Sequence, residues 1–395
     1  MPNLLEKILF PLPVSSFVNQ HWYNEAVHIK GTPAKFEDLF DWHSLNNLLS
    51  SLTLTGQQIK LSRGGASFFS SDAQQILREA RQGTTLILED IDNRDPKLGP
   101  FLNQLSDEIC MPTRTNLYLS FPGKQGYRIH YDTHDFFILQ LEGFKRWNVY
   151  PATVESPLFF QKTHGIVPPR KEQLYLSCVL KRGDVLYVPK GHWHEAISFE
   201  EPSMHLTVAL FAPTGIDFLN WLVDELRDDP RVRESLPLIL KEALPDHGRS
   251  VPQLDSHLSM IKEAVVQKMG SESLGFLFFR YSVARQKNRI PFIFPQQIAV
   301  GSDVPQDVMR FKRVPISTFV ADREDGKVEL IYSGRIAVFD HSIKPILRLM
   351  LTSQEFTKDD LLACAPEFSW EQVLPILSTL ITEGLIVFST ASNNP

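Results

Sequence analysis

Between Thr113 and Pro213 the chain is a close series of short apolar runs broken by glycine and proline. They read TRTNLYLSF, YRIHYD, FFILQLEG, FKRWNVYP, LYLSCVLKRG, DVLYVPKG, HWHEAISF and SMHLTVALFAP. Segments this short and this often interrupted cannot propagate as helices, because proline lacks an amide donor and glycine loses the most backbone freedom on ordering. Strands at this density imply a β-sandwich or barrel. Beyond Pro213 the period changes. IDFLNWLVDELRDD, PRVRESLPLILKEAL and QLDSHLSMIKEAVVQKM carry apolar residues at helical spacing, and SLGFLFFRYSVARQ continues it, so residues 214 to about 290 are expected to be helical. Their apolar faces need cover, which suggests a spacer or dimerisation module.

Ahead of the β region the signals are mixed. Pro11 and Pro13 stop any early helix, FVNQHWYNEAVHI has helical spacing, and Asp41 can cap a helix through WHSLNNLLSSL. QQIKLSRGG reads as a strand ending in a glycine turn. Ser71 and Asp72 can cap AQQILREARQG, TTLILED is a buried strand, and DPKLGPFLNQLSDEI is a further helix. After a Pro-rich linker, IPFIFPQQIAVGSDVPQ, the chain from about 300 runs VELIYSGRIAVFD, HSIKPILRLML, KDDLLACA, SWEQVLPILSTLITEG and LIVFS. That pattern of strand, three helices and closing strand resembles a winged helix. Three parts are expected: 1–213, 214–300 and 301–395.

Composition narrows the function classes. A net charge of −6 gives no general reason to expect nucleic-acid binding, and the last part, with 9 Lys or Arg against 13 Asp or Glu, disfavours DNA in particular. The three cysteines, Cys110, Cys178 and Cys364, make no CxxC pair or disulfide framework, so a reducing cytoplasm is expected. No apolar run approaches the roughly 18 residues of a membrane span, and MPNLLEKILFPLPVSSF lacks the pattern of a secretory signal.

The chemistry concentrates in YRIHYDTHDFFILQLEGFKRWNVY, residues 127–150. Alternate strand residues face one side, so His130 and Asp132 can reach a single metal from the end of one strand. By itself that pair is weak and fits a solvated strand end better. The run RGDVLYVPKGHWHEA adds a second source of imidazole, with His192 and His194 on one side by strand parity. Two imidazoles and one carboxylate on one face of an octahedral ion leave three positions open, the arrangement of non-haem Fe(II) oxygenases. No thiolate lies near, so a structural zinc site is disfavoured. Lys145 shares a strand face with Trp147 and Val149, an apparently inner face. A lysine buried there without a partner is costly unless an anion arrives, while the alternative is a side chain snorkelling to solvent.

HYDTHDFFILQLEGFKRWNVY, GDVLYVPKGHWHEA and SMHLTVALF together resemble the JmjC-type, cupin-like oxygenases, and among them the bacterial and human ribosomal oxygenases. The resemblance implies an α+β chain: a double-stranded β-helix, or jelly roll, followed by a helical dimerisation segment and a winged helix. It implies Fe(II) on His130, Asp132 and His194, the last chosen over His192 because it stands third after the glycine of Pro-Lys-Gly. It also implies 2-oxoglutarate paired with Lys145, and O2 as the oxidant. His205 and Thr207 fall where the family lines its co-substrate pocket, and Asn116 and Tyr118 are possible helpers. The implied function is hydroxylation of a side chain of a protein or peptide. The other readings are tailoring of a ribosomally made peptide with the winged helix holding its leader, N-methyl demethylation, a metal-dependent cupin without 2-oxoglutarate, and a non-catalytic cupin scaffold.

Overall fold

The computed structural model describes residues 3–122, 126–163, 165–199, 201–239, 251–271, 273–284, 292–298, 308–316, 318–323 and 325–390. It opens with α1 (Leu4–Leu9) and α2 (Val14–Gln20), parted by Pro11 and Pro13. The helix expected through FVNQHWYNEAVHI ends at Gln20. Tyr23 takes a left-handed φ of +62°, and Val27–Ile29 becomes strand β1, paired with Tyr187–Val185. Helix α3 (Trp42–Leu54) starts as expected at Asp41, whose Oδ1 accepts the Ser44 amide at 2.8 Å. β2 (Ile59–Arg63) turns at Gly64 and Gly65 into β3 (Ala66–Ser70), which the hydrophobic pattern did not mark. Asp72 caps α4 (Ala73–Arg81) by accepting the Gln74 amide, and the fully buried β4 (Thr85–Leu88) and α5 (Leu98–Ile109) follow.

Next come β5 (Thr113–Ser120), β6 (Asp135–Glu142), β7 (Lys145–Ala152), β8 (Leu176–Leu180), β9 (Val185–Val188), β10 (His192–Ser198) and β11 (Ser203–Leu210). They build two sheets, one of eight strands in the order β1-β9-β6-β11-β5-β4-β2-β3 and one of three, β10-β7-β8. The run FFILQL in β6 has no polar alternation because both of its faces are covered. Phe137, Leu139 and Leu141 join Leu4, Ile8, Phe17, Leu102 and Leu105 in the core beneath the N-terminal helices. Phe136 and Ile138 point the other way, into a second core shared with Trp147, Val149, Leu186 and Val188 between the sheets.

The chain passes from β6 in one sheet to β7 in the other at Gly143, which has φ +64°. A Cβ there would stand 2.2 Å from the Pro202 carbonyl oxygen, so only glycine fits. YRIHYD is not the regular strand expected from its pattern. Within it His130 makes one isolated bridge to His194, its amide donating to the His194 carbonyl at 3.1 Å and the His194 amide donating back at 2.7 Å.

The third part of the fold is helical: α6 (Gly215–Glu225), α7 (Pro230–Arg233), α8 (Pro252–Met269) and α9 (Leu274–Ala284), joined by Trp221, Leu222, Leu226 and Ala264. The helix expected over PRVRESLPLILKEAL shortens to Pro230–Arg233, since Pro237 restricts the residue before it and gives no amide. Its end, 240–244, lies outside the described residues, as does most of the expected linker.

The C-terminal part contains β12 (Val308–Arg313), β13 (Thr318–Asp322), β14 (Lys327–Tyr332), β15 (Arg335–Asp340), α10 (Lys344–Thr352), β16 (Glu355–Phe356), α11 (Lys358–Cys364), α12 (Trp370–Thr382) and β17 (Ile386–Thr390). Two three-stranded sheets, β16-β12-β17 and β13-β14-β15, enclose a core that includes Phe311, Leu347, Met350, Val373 and Leu377. Arg313 ties this part to α5 through Asp107 at 2.5 Å, and Arg280 of α9 meets buried Glu329 of β14 at 2.7 Å. Among the described residues, no helix is long and apolar enough to cross a membrane.

Candidate active site

His130, Asp132 and His194 come together at the mouth between the two sheets, their ligand atoms all within 4.8 Å of one another. The reciprocal backbone bridge between His130 and His194 holds the two imidazole carriers side by side, with ring centroids 4.4 Å apart. Each ring is oriented from behind. His130 Nδ1 lies 2.8 Å from the Arg128 carbonyl and His194 Nδ1 lies 3.1 Å from the His192 carbonyl, which leaves both Nε2 atoms for a metal. His194 Nε2 is 3.7 Å from Asp132 Oδ2. Burial, reinforced by His130, pushes the His194 imidazole down to about 4, so the ring is neutral near pH 7. Burial alone would raise the Asp132 carboxyl, but its neighbours, His130 foremost, hold it below the usual carboxylate range. The neutral His194 imidazole and an anionic Asp132 carboxylate are donor states that a divalent ion needs.

His192, the other histidine in the run, sits elsewhere: its Nδ1 pairs with the Tyr175 hydroxyl at 2.7 Å. The ladder between β10 and β7 skips a residue at this point. His192 is opposite Ala152 and Trp193 opposite Tyr150, which leaves Pro151 unpaired.

From the three ligands a cavity runs inward. Lys145, Trp147, His205, Thr207 and Tyr118 line it, with Ser120, Thr85 and Tyr127. Parity explains most of the list. On β11, Met204, Leu206 and Val208 face the helical core while His205 and Thr207 turn inward, and on β5 Leu117 and Leu119 do the same opposite Tyr118 and Ser120. Asn116 shares that parity but is not among the lining residues; its Oδ1 accepts the Asp90 amide at 3.0 Å.

Lys145 is 5% exposed. Contrary to the expectation of a lysine without any partner, its Nζ donates to Ser120 Oγ at 2.7 Å, but no acidic side chain pairs with it among the described residues. Burial pushes the ammonium down to about 7. His205 stacks on Tyr118 at 5.1 Å with the rings 2° from parallel, and burial, with Lys145 adding to it, holds its imidazole well below the ordinary value. Among the described residues the buried His205 Nδ1 and Trp147 Nε1 have no hydrogen-bond partner. Ser120 was missed by sequence reasoning although strand parity with Tyr118 would have found it.

Residues 98–218 match the JmjC domain family model. Ribosomal oxygenase 1 of Rattus norvegicus is 31% identical over 240 residues, which cover 55% of this chain and 38% of that protein. The bifunctional lysine-specific demethylase and histidyl-hydroxylase NO66 of Drosophila mojavensis is 24% identical over 284 residues, 67% of this chain and 32% of that protein. The chain thus spans about a third of the length of these two relatives. The structure of YcfD, a ribosomal oxygenase from Escherichia coli in complex with cobalt and 2-oxoglutarate, superposes with a TM-score of 0.63 at 17% identity, covering 96% of this chain and 99% of that one. A likeness at that identity concerns the fold, which is the JmjC double-stranded β-helix. Residues 98–218 are therefore those of a JmjC domain, and over about half its length the chain is similar to ribosomal oxygenase 1.

Proposed function

We propose that this protein is an Fe(II)- and 2-oxoglutarate-dependent oxygenase that hydroxylates a side chain of a protein or peptide. The observation that carries the reading is the pairing of a two-imidazole, one-carboxylate cluster with a buried lysine that no acid neutralises among the described residues, both in one cavity. The donor set fits a borderline divalent ion with open positions. Lys145 fits a dicarboxylate: its charge, desolvated at the inner end of the cavity, gains most when an anion reaches it. His205 Nδ1 and Trp147 Nε1 are further buried groups in want of a partner.

In this reading His130, Asp132 and His194 hold Fe(II), Lys145 binds the distal carboxylate of 2-oxoglutarate, and Tyr118, His205 and Thr207 shape the walls around it. Asn116 acts at one remove, by fixing the Asp90 backbone. When bound, the iron and 2-oxoglutarate together supply the oxidising chemistry, with O2 as oxidant. The chain's own part is to orient the target, keep the His194 ring neutral and exclude water from the apolar inner wall of Phe136, Ile138 and Trp147.

The finer assignments belong to the same proposal. The α6–α9 region exposes Leu219, Val223, Val266 and Met269, apolar residues that a homodimer would cover. The order α10, β16, α11, α12, β17 is that of a winged helix, and its acidic balance suits a protein or peptide surface rather than DNA. Three unpaired cysteines fit the cytoplasm.

Anaerobic addition of Fe(II) to protein with 2-oxoglutarate tests the central reading. A visible charge-transfer band is expected, lost in Asp132→Ala and weakened in Lys145→Ala. Metal binding without such a band would point to another cupin chemistry, and no metal binding at all would sink the enzyme reading.

A further inference from the structure

Beside the cavity lies a larger groove of about 530 Å³, lined by Phe159, Phe160, Phe211, Ile216 and Tyr281 among others. We propose that it grips the target polypeptide by an apolar side chain two or three residues away from the one being oxidised. The inference rests on the oxygenase reading and adds to it what the target must carry.

The groove is continuous with the candidate metal centre. Thr133, His134 and Asp135 line it, and they follow Asp132 directly in the chain. An extended chain advances about 3.3–3.6 Å per residue, so the near wall begins within about 7 Å of Asp132. A target strand crossing the metal covers the same ground in two residues.

Phe159 and Phe160 are each 76% exposed. They stand on an anchored segment. The Tyr131 hydroxyl donates to the Gln161 carbonyl at 2.9 Å, and Gln161 Oε1 accepts the Leu158 amide at 2.8 Å. Tyr131 is buried with Tyr150 and Trp193, and it lies between the ligands His130 and Asp132 in sequence. Two aromatic rings are thus presented to solvent from the same base that carries the metal ligands. A groove of this volume accommodates a large side chain with its backbone.

Charge selects the occupant. The charged groups at the groove are Lys190 and, 5.2 Å over the Phe159 ring, Lys162, against Asp135 and Asp217, so among the described residues acids and cations balance. A phosphodiester chain needs a basic track, which this balance does not supply. A polypeptide with an apolar side chain has no such need.

The test uses the full chain with Fe(II), 2-oxoglutarate and a library of randomised capped octapeptides, reading by mass spectrometry which peptides gain one oxygen. The oxidised peptides should be enriched in Phe, Leu, Met or Trp two or three positions from the modified residue. That enrichment should fall about tenfold in Phe159→Ser/Phe160→Ser, the scale of losing one well-buried apolar contact. Phe69→Ser, which removes an exposed ring elsewhere, should leave the enrichment as it is. Unchanged enrichment in the double variant overturns the proposal, as do oxidised peptides without an apolar preference. A double variant that alters only the oligomeric state also overturns it, since the groove would then be a contact between copies. A wild-type charge-transfer band with no peptide oxidised overturns the docking while the oxygenase reading stands. Absence of the band removes both.

Discussion

Replacing Lys145 with methionine should stabilise the protein while destroying co-substrate binding. The fall of the ammonium pKa from 10.5 to about 7 has burial as its cause, with no acid to offset it. At about 1.4 kcal/mol per pKa unit, holding that charge in the fold costs on the order of 5 kcal/mol. Methionine fills a similar volume without the charge, but it forfeits the bond to Ser120 Oγ. A hydrogen bond from a charged donor contributes about 1.5–3 kcal/mol. The net gain is then about 2–4 kcal/mol, or a rise in Tm of several degrees at roughly 2–4 °C per kcal/mol.

The pH dependence gives the sign. Below pH 7 the lysine is charged in both the folded and unfolded chains, so the full cost is present and the variant's advantage is largest. Between pH 7 and about 10.5 the unfolded chain binds a proton that the folded chain has released, so wild-type stability rises with pH relative to the variant. Denaturant melts of the metal-free proteins at pH 6.5 and pH 9 would show the gap closing. Binding of 2-oxoglutarate with Mn(II), followed by calorimetry, should weaken at least about 100-fold in the variant. A variant less stable than wild type at both pH values, by the same margin, would refute the account of Lys145 as an uncompensated buried cation.

Two further outcomes are expected. Gly143→Ala places a methyl 2.2 Å from the Pro202 carbonyl at φ +64°, so it should lower stability by about 2 kcal/mol or more in denaturant melts, with a shift in midpoint. A near-wild-type midpoint would show that the crossing between sheets relaxes easily. In light scattering at micromolar concentration the chain should have the mass of a dimer; a monomeric mass would remove the proposed role of α6–α9.

What was legible in the sequence is what burial alone decides. FFILQL could only be a strand covered on both sides, and the alternation of SMHLTVAL separates the inward His205 and Thr207 from the core-facing Met204, Leu206 and Val208. The proximity of His130 to Asp132 was legible as well. Their support was not: the His130–His194 bridge joins residues far apart in sequence, and no local pattern encodes such a pairing. Local propensity also misled where single residues intervened. Tyr23 in the left-handed region ends a helical pattern before Val27, and Pro237 undercuts the one through 230–244. The Ser120 partner of Lys145 lay open to parity reasoning on β5, but its hydroxyl could not be matched to a lysine on another strand without the fold. The ion pairs of Arg313 with Asp107 and Arg280 with Glu329 bridge separate parts of the chain and follow from tertiary placement alone.

The reciprocal backbone bonds between His130 and His194 act as a clasp that closes before any ion arrives. The entropy of bringing these two rings together is lost once, during folding, and is not charged again to each binding event. An ion entering this mouth therefore meets a rigid seat, and its exchange rate should be governed by shedding its own water rather than by movement of the chain. Amide protons of residues 130 and 194 should exchange with solvent equally slowly in the metal-free and loaded protein.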